Sequence, residues 1–345
     1  MKKTSIIILG LAIILSLAMM AGCGKKPAAG GAASTSTAAV KDKDVTIRVG
    51  HVLAPEHPYH LGLLKFGELA NQKSGGSIKV EVFHSSQLGN ERDLIEGLQL
   101  STVEMCVVST APLSGFTKKF QVFDLPFIFS ETKKTREILD GPIGQGILES
   151  LPAQGIVGLC YFENGFRNIT NSVKPISKPD DLKGMKIRTM ENPIHMASFR
   201  AMGAAPTPMA LGELFTALQQ KTVDGQENPL AIINTSKFYE VQKYLSITRH
   251  FYAAAPLLIA KPLFDSLSAN QQKAVKEAAV EAMAYERGLL DQMNTKLEDE
   301  LQKLGMELNR VDIQPFIDAV QPVYAQYQAE IGADLIKQVQ DAQKK

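Results

Sequence analysis

The chain has 345 residues, of which 45% are hydrophobic and 21% are charged, and its formal net charge at pH 7 is +1. That length suits about two domains of ordinary size with ample core. The composition excludes a disordered chain, and the balanced charge argues against a nucleic-acid partner.

The first residues have the layout of an export signal, in which two lysines precede an uncharged apolar run over 5–20 and then Ala21-Gly22-Cys23. The Ala-Gly-Cys ending is similar to that of a lipoprotein signal. It predicts a signal peptide at 1–22, cleavage before Cys23 and acylation of the Cys23 sulfur, which would anchor the protein to the membrane. The alternative is an uncleaved transmembrane anchor over 4–24, a stretch long enough to span a bilayer. Both interpretations place the globular part outside the cytoplasmic membrane.

Residues 23–44 are rich in Ala, Gly, Ser and Thr and lack apolar periodicity, so they predict a flexible tether after the lipidated cysteine. The other two cysteines, Cys106 and Cys160, each lie in an apolar, strand-like run. This setting favours buried free thiols, with a disulfide between them as the alternative.

Strands and helices alternate from Val45 onward, which indicates an α/β protein. The periodicity of the first half predicts strands at 45–51, 77–83, 103–109 and 156–162, and helices at 58–74, 91–100, 131–140 and 143–153. The strand–helix order implies parallel pairing of the first three strands. The apolar segment 123–129 is expected to pack under a loop or at a domain boundary.

A second α/β unit is predicted from Gly165 onward, with strands at 185–190 and 244–248 and helices at 194–202, 211–219 and 230–238. An apolar run at 253–260 begins a return to the first domain. Ser268 and Gln271 fit a capping box at the start of a helix that extends toward Gly305. Such a helix would span about 54 Å and lie across both domains. Helices at 313–327 and 329–343 close the chain.

Two arginines in the second unit point to an anion site. Arg167 stands in Asn-Gly-Phe-Arg-Asn, and Arg188 stands at the end of a predicted strand, where open α/β sheets bind ligands. A guanidinium offers a planar fork of donors that matches a carboxylate. From the residues alone, a solvated Arg188 on a polar strand face and a turn role for Asn228 before Pro229 remain open.

The chain closely resembles the solute-binding subunits of tripartite ATP-independent periplasmic (TRAP) transporters of the dicarboxylate-binding type. The resemblance covers the whole mature chain and is carried by ordered motifs at Ser85–Arg92, Asp181–Arg188, Gly203–Met209, Glu213 with Ala217–Gln219, Val223–Pro229 and Lys237–Tyr244. The family often has Phe at the position of Leu211 and Gly near Lys221, and the first of these departures concerns the shape of the pocket wall.

The resemblance implies a two-lobe, periplasmic-binding-protein-like fold with a long helix spanning both lobes. It places lobe I at 45–164 plus 254–292 and lobe II at 165–253 plus 293–345, with a cleft that closes on an organic acid, either a sugar acid or a four-carbon dicarboxylate. Arg188 is then the principal carboxylate ligand, Arg167 a second cationic contact and Asn228 a hydrogen-bonding partner. The implied partner is a TRAP permease in the membrane, and no cofactor is required.

Three further residues are candidate ligand contacts: His57 in the loop after the first strand, Glu91 at a helix start and Ser109 after the third strand. Each has a structural alternative. For Glu91 it is that a carboxylate in the first turn of a helix is favourable by itself. His57 also lies near two other histidines, which raises the alternative of a zinc site, but no metal is predicted. The polar, histidine-containing end of the pocket slightly favours a hydroxylated acid.

The competing class is an extracytoplasmic enzyme acting on a small carboxylate. The sequence contains no nucleophile elbow, no zinc-protease helix motif, no phosphate loop and no dinucleotide fingerprint. We therefore predict a receptor rather than an enzyme.

Overall fold

Alternating strands and helices make up most of the computed structural model, which describes residues 42–344. The strands are β1 (Val45–Gly50), β2 (Ile78–Phe83), β3 (Met105–Val107), β4 (Ile156–Asn171), β5 (Lys186–Thr189), β6 (Ala205–Pro208), β7 (Gly225–Asn228), β8 (Tyr244–Ala260) and β9 (Glu307–Arg310). The α-helices are α1 (Pro58–Lys73), α2 (Glu91–Gln99), α3 (Thr110–Leu113), α4 (Thr132–Asp140), α5 (Pro142–Leu148), α6 (Pro193–Ala201), α7 (Leu211–Gln219), α8 (Leu230–Thr235), α9 (Lys261–Ser266), α10 (Ala269–Lys303), α11 (Gln314–Ile331) and α12 (Ala333–Lys344).

The strands form one hydrogen-bonded path in the order β2-β1-β3-β8-β4-β7-β5-β6, with β9 on β8. At one end, β1 pairs in parallel with both β2 and β3, which confirms the pairing predicted for the first three strands. At the other end, β5 pairs in parallel with both β6 and β7. Each end is thus a small parallel sheet, and the carboxyl ends of its strands share one edge.

Two long antiparallel strands join these parallel sheets. β4 has 16 residues and β8 has 17, and they pair along most of their length. The predictions of short strands ending at 162 and 248 were therefore wrong in extent. Both strands are buried on both faces over long stretches, so their sequences lack the alternation that marks continuous half-exposed strands. The bulge between Glu163 and Gly165, where Gly165 has φ 96°, further interrupts the pattern.

Other differences concern short elements. The segment 223–229, for which no strand was predicted, contains β7, and strands β6 and β9 were not predicted either. β6 holds two prolines and lies at the edge of the sheet, the position where proline is tolerated. The helix predicted at 143–153 ends at Leu148, and a 3-10 turn at Leu151–Gln154 follows it.

The long helix is confirmed as α10, with 35 residues from Ala269 to Lys303. Its capping box is formed as predicted: Gln271 N donates to Ser268 Oγ at 3.1 Å, and Ser268 N donates to Gln271 Oε1 at 3.2 Å. The helix packs on α1 beside the first parallel sheet and also on α8 and β9 beside the second. It therefore spans both halves of the fold.

The prediction of buried free thiols is confirmed, and the apolar segment 123–129 is largely buried as well. Cys106 and Cys160 are free and buried, and burial raises the pKa of each thiol. The side chains of Phe123, Leu125 and Phe129 belong to the hydrophobic core.

The signal peptide at 1–22, the lipidation of Cys23 and most of the tether lie outside the described residues. The last residues of the predicted tether contact the start of α10: Asn270 Nδ2 donates to Asp42 Oδ2 at 2.9 Å, and Gln271 Nε2 donates to the Lys43 carbonyl at 2.8 Å. Over residues 42–344, no helix is long and apolar enough to cross a membrane.

Candidate functional site

A cavity lies where the two parallel sheets face the crossing strands, and its empty space of about 290 Å³ includes solvent at its mouth. Its walls follow the carboxyl ends of β1 and β3 on one side and of β5 and β7 on the other, with β4 between them. The lining residues are Val52, Leu53, Tyr59, Glu91, Ser109, Asn164, Arg167, Arg188, Met190, Leu211, Asn228 and Ile232. This edge of parallel strands is where α/β sheets bind ligands.

Arg188 lies in β5 and is only 2% exposed, so the interpretation as a solvated strand residue is excluded. Its Nε and Nη2 both donate to the Met209 carbonyl, at 2.9 and 2.5 Å. It forms no ion pair with any of the residues described. Burial lowers the pKa of Arg188 to about 10, which still leaves it charged at neutral pH. A buried cation held only by a carbonyl is prepared to receive an anion.

Arg167 lies in β4 and also lines the cavity, but most of its donors are engaged. Nε lies 2.5 Å from Glu227 Oε2, and Nη2 lies 2.7 Å from Glu227 Oε1 and 3.0 Å from Asn228 Oδ1. His250 Nε2 lies 3.2 Å from Glu227 Oε2. Burial alone would raise the pKa of Glu227, but Arg167 and His250 hold it well below its usual range. Glu227 therefore neutralises Arg167 inside the protein.

Three other predicted contacts lie on the cavity wall. Asn228, the last residue of β7, accepts from Arg167 and donates through Nδ2 to Gln226 Oε1 at 2.5 Å. Ser109 N donates to Glu91 Oε1 at 2.6 Å, which ties the start of α2 to the end of β3. Burial raises the pKa of the Glu91 carboxyl, although the hydrogen bonds from Ser109 oppose that shift. The structure thus brings Arg188, Arg167, Asn228, Glu91 and Ser109 together around one cavity.

His57 is not among the lining residues. It caps α1, with its Nδ1 accepting from Tyr59 N at 3.2 Å, and it is fully buried. His51 and His60 contact each other through Nε2 and Nδ1 at 3.2 Å. No group of three or more His, Cys, Asp or Glu side chains within 42–344 is arranged to hold a metal ion.

Two polar lining residues, Tyr59 and Asn164, were not predicted by the sequence analysis. Tyr59 lies in the first turn of α1 and Asn164 lies at the bulge of β4; both are buried. Asn164 Nδ2 donates to Ser109 Oγ at 3.0 Å, whereas Asn164 Oδ1 and the Tyr59 hydroxyl are buried without a partner among the described residues. The one available signal was position, since Tyr59 follows the loop after β1 and Asn164 precedes Gly165.

A buried polar cluster lies directly beside the cavity. Asn192, two residues beyond Met190 of the cavity wall, caps α6 and donates through Nδ2 to Asp124 Oδ2 at 2.7 Å. The Thr110 hydroxyl donates to Asp124 Oδ1 at 3.2 Å, and His195 Nε2 lies 3.9 Å from the same oxygen. Burial raises the pKa of Asp124 to about 7. This cluster joins the segment after β3 to the segment after β5.

Comparisons with known proteins agree over nearly the whole described chain. The family model "DctP: Bacterial extracellular solute-binding protein, family 7" matches residues 49–330. A solute-binding protein of Verminephrobacter eiseniae is 39% identical over 299 residues, which cover 86% of this chain and 89% of that protein. The structure of a TRAP periplasmic solute-binding protein of Polaromonas sp. JS666, bound to D-erythronate, is 40% identical with a TM-score of 0.84, covering 86% of this chain and 98% of that one. The sugar acid binding protein DctPAm of Advenella mimigardefordensis, in complex with galactonate, is 40% identical with a TM-score of 0.85, covering 88% and 98%.

These matches confirm the predicted two-lobe fold and favour a transport receptor over the enzyme alternative. They also agree with the arrangement of the chain, in which two parallel sheets share two crossing strands and one long helix. The chain belongs to family 7 of the bacterial extracellular solute-binding proteins, the extracytoplasmic receptors that serve TRAP permeases.

Proposed function

We propose that this receptor captures a small organic acid in the cavity at Arg188 and delivers it to a TRAP permease. The observation that carries the proposal is the buried Arg188 guanidinium, which donates to a backbone carbonyl and pairs with no carboxylate of residues 42–344. An acid that reached it would form charge-assisted hydrogen bonds, each contributing about 1.5–3 kcal/mol. The acids bound by the two similar structures, D-erythronate and galactonate, support a sugar acid as the ligand class.

Arg167 and Asn228 have a supporting role in this proposal. Their mutual hydrogen bond and the Glu227 ion pair fix the wall next to Arg188. Glu91 and Ser109 contribute the wall from the other side, after β3. His57 has an indirect role in this proposal: it caps the start of α1, and this cap positions Tyr59.

The lobe boundaries predicted from the sequence fit a closing cleft. With lobe I at 45–164 plus 254–292 and lobe II at 165–253 plus 293–345, the cavity has walls from both lobes. A ligand that contacts both favours the closed population. Small-angle X-ray scattering should show a smaller radius of gyration on adding the bound acid; an unchanged radius with saturating ligand would argue against closure.

We also propose that the receptor is anchored by lipid at Cys23 and carried on the tether 23–44. The support is the layout of residues 1–23. Mass spectrometry of the mature protein from membranes should find the N-terminal peptide beginning at an acylated Cys23, and Cys23→Ser should release the protein from the membrane. A mature protein that retains residues 1–22 would favour the transmembrane alternative.

The binding proposal is tested by calorimetry with a panel of sugar acids, keto acids and dicarboxylates. The wild type should bind at least one of them, and Arg188→Ala should remove that binding while its melting curve in the absence of ligand stays cooperative. Arg48→Ala is the matched control, because Arg48 pairs with Glu104 away from the cavity. Equal affinity of wild type and Arg188→Ala would refute the proposal.

A further inference from the structure

Asn192 connects the two predicted lobes beside the cavity. It follows β5 in lobe II, whereas the acceptors of its amide lie in lobe I: Nδ2 donates to Asp124 Oδ2 at 2.7 Å, to Ser114 Oγ at 2.9 Å and to the Ala111 carbonyl at 3.0 Å. The side chain is fully buried. We call Ala111, Ser114 and Asp124 the socket. The hydrogen bonds that Nδ2 donates to the described residues thus all reach from one lobe into the other.

The two ends of the Asn192 amide depend on different parts of the chain. Oδ1 accepts from Ile194 N at 2.8 Å and from His195 N at 2.9 Å, which caps α6 within lobe II. A serine hydroxyl caps a helix about as well as an asparagine, so the cap does not require Nδ2. Nδ2 depends instead on the socket, and separation of the lobes would remove its acceptors.

The socket is held together inside lobe I. The Ser114 hydroxyl donates to the Ala111 carbonyl at 2.7 Å, which fixes two of its three acceptors relative to each other. His195 Nε2 of lobe II lies 3.9 Å from Asp124 Oδ1, too far for a hydrogen bond. Among the described residues of lobe II, Asn192 is therefore the one that bonds to the socket.

Another contact between the predicted lobes is more open to water. The Tyr324 hydroxyl donates to the Pro126 carbonyl at 2.7 Å, but Tyr324 is half-buried and lines a surface groove, where water can replace its partner. Asn192 and Asp124 are 0% and 2% exposed, and a buried polar group without a partner is costly. The contact between Asn192 and the socket therefore forms when the lobes meet and is lost when they part.

We infer that Asn192 is a latch: its Nδ2 group enters the socket when the lobes close over a ligand, and these hydrogen bonds slow the release of the ligand without touching it. Asn192 is not among the residues that line the cavity, so it stabilises the closed state equally for every ligand. The inference rests on the proposed function, since it requires a cleft that closes on an acid. The latch then sets how long an acid stays bound, while the cavity wall sets which acid binds.

The test measures how fast radiolabelled D-erythronate and galactonate leave the receptor when unlabelled acid is added in excess, using rapid filtration. Asn192→Ser keeps a capping oxygen and removes Nδ2. It should release each acid that the wild type binds at least fivefold faster, by factors that agree within twofold, with association rates within twofold of wild type. Asn309→Ser is the matched control, because Asn309 Nδ2 donates to the Ile176 carbonyl at 2.8 Å inside lobe II, and it should release the acids at the wild-type rate.

The outcomes separate the latch from the receptor proposal. A wild-type release rate in Asn192→Ser overturns the latch and leaves the receptor proposal standing, whether or not the variant is less stable in urea. Release factors that differ several-fold between acids also overturn it, because they would place Asn192 in contact with the ligand. A wild type that binds neither acid, nor any acid of the calorimetry panel, overturns the receptor proposal and the latch with it.

A variant on the other lobe tests the same contact if Asn192→Ser does not fold. Asp124→Ala removes the carboxyl of the socket and should also speed release at least fivefold. The double variant of Asn192→Ser and Asp124→Ala should release acid no more than twofold faster than the faster single variant, because both changes break one contact. Effects that multiply in the double variant would overturn the direct contact as the source of slow release.

Discussion

Arg167 and Glu227 form a two-pronged ion pair inside the protein, each less than 2% exposed. The pair bridges β4 and β7, which is the strand contact next to the cavity. Because Glu227 offsets the charge of Arg167, we expect Arg188 to be the main partner of a ligand carboxylate. Arg167 and Arg188 therefore differ in the charge that they can offer a ligand, because Glu227 pairs with Arg167 alone of the two.

The first prediction is that Glu227→Gln destabilises the fold strongly. The change leaves Arg167 buried without a counter-charge, and breaking such a pair typically costs about 3–5 kcal/mol. The measurement is the free energy of unfolding in urea. Asp265→Asn provides the control, because Asp265 pairs with Lys261 at the surface and such pairs contribute about 0–1 kcal/mol. If the two variants lost similar stability, the buried pair would not have the importance we give it.

The second prediction is that Arg188→Lys weakens ligand binding although the positive charge is kept. A lysine ammonium cannot present the planar fork of donors that Arg188 offers to a carboxylate, nor bridge to the Met209 carbonyl in the same way. Losing one charge-assisted hydrogen bond of about 1.5–3 kcal/mol corresponds to roughly a tenfold to hundredfold loss of affinity. Calorimetry with the acid that the wild type binds would measure it. Arg48→Lys should bind like the wild type; an Arg188→Lys variant that also did so would contradict a two-pronged contact.

The third prediction concerns pH and Asp124. Burial raises the pKa of Asp124 from 3.8 to about 7, so the folded state holds this proton more tightly than the unfolded state. The resulting stabilisation is fully present below about pH 4 and is lost as the pH rises to about 7. The free energy of unfolding of the wild type relative to Asp124→Asn should fall by roughly 1.4 kcal/mol per pH unit inside that window and be flat above it.

Urea denaturation of the wild type and Asp124→Asn between pH 4 and 8 checks this dependence, because other buried carboxyls cancel in the difference. Asp299→Asn, an exposed change on α10, serves as the control for the substitution itself. A flat difference for Asp124→Asn would mean that Asp124 titrates normally in spite of its burial.

The fourth prediction is that the capping box contributes measurably to stability. Ser268→Ala removes the acceptor for Gln271 N at the start of a 35-residue helix, and such a loss usually costs about 1 kcal/mol. Thermal and urea unfolding should both register it. Ser266→Ala, whose hydroxyl bonds to the Leu263 carbonyl at an exposed site, should stay within about 0.5 kcal/mol of wild type. Equal effects would mean that tertiary packing alone fixes the start of α10.

Much of the fold could be predicted because local patterns carried it. The bounds of α7 and the cap of α10 were predicted to the residue, since a helix period and a capping box are written in neighbouring positions. The extents of β4 and β8 could not be predicted, because a strand buried on both faces has no alternation to read. β7 was not predicted as a strand, since Asp224, Gly225 and Pro229 are typical turn residues, and only its neighbours β4 and β5 make it a strand.

The candidate site, like the fold, could be predicted from the sequence only in part. The sequence by itself determined that two arginines and an asparagine stand in family motifs, because these motifs are contiguous and ordered. Only the tertiary structure decided that Arg167 is paired with Glu227 while Arg188 is not, and that Tyr59 and Asn164 complete the wall. The physical reason is that charge compensation and hydrogen-bond satisfaction depend on residues far apart in the chain, 60 positions in the case of Arg167 and Glu227, which no local pattern records.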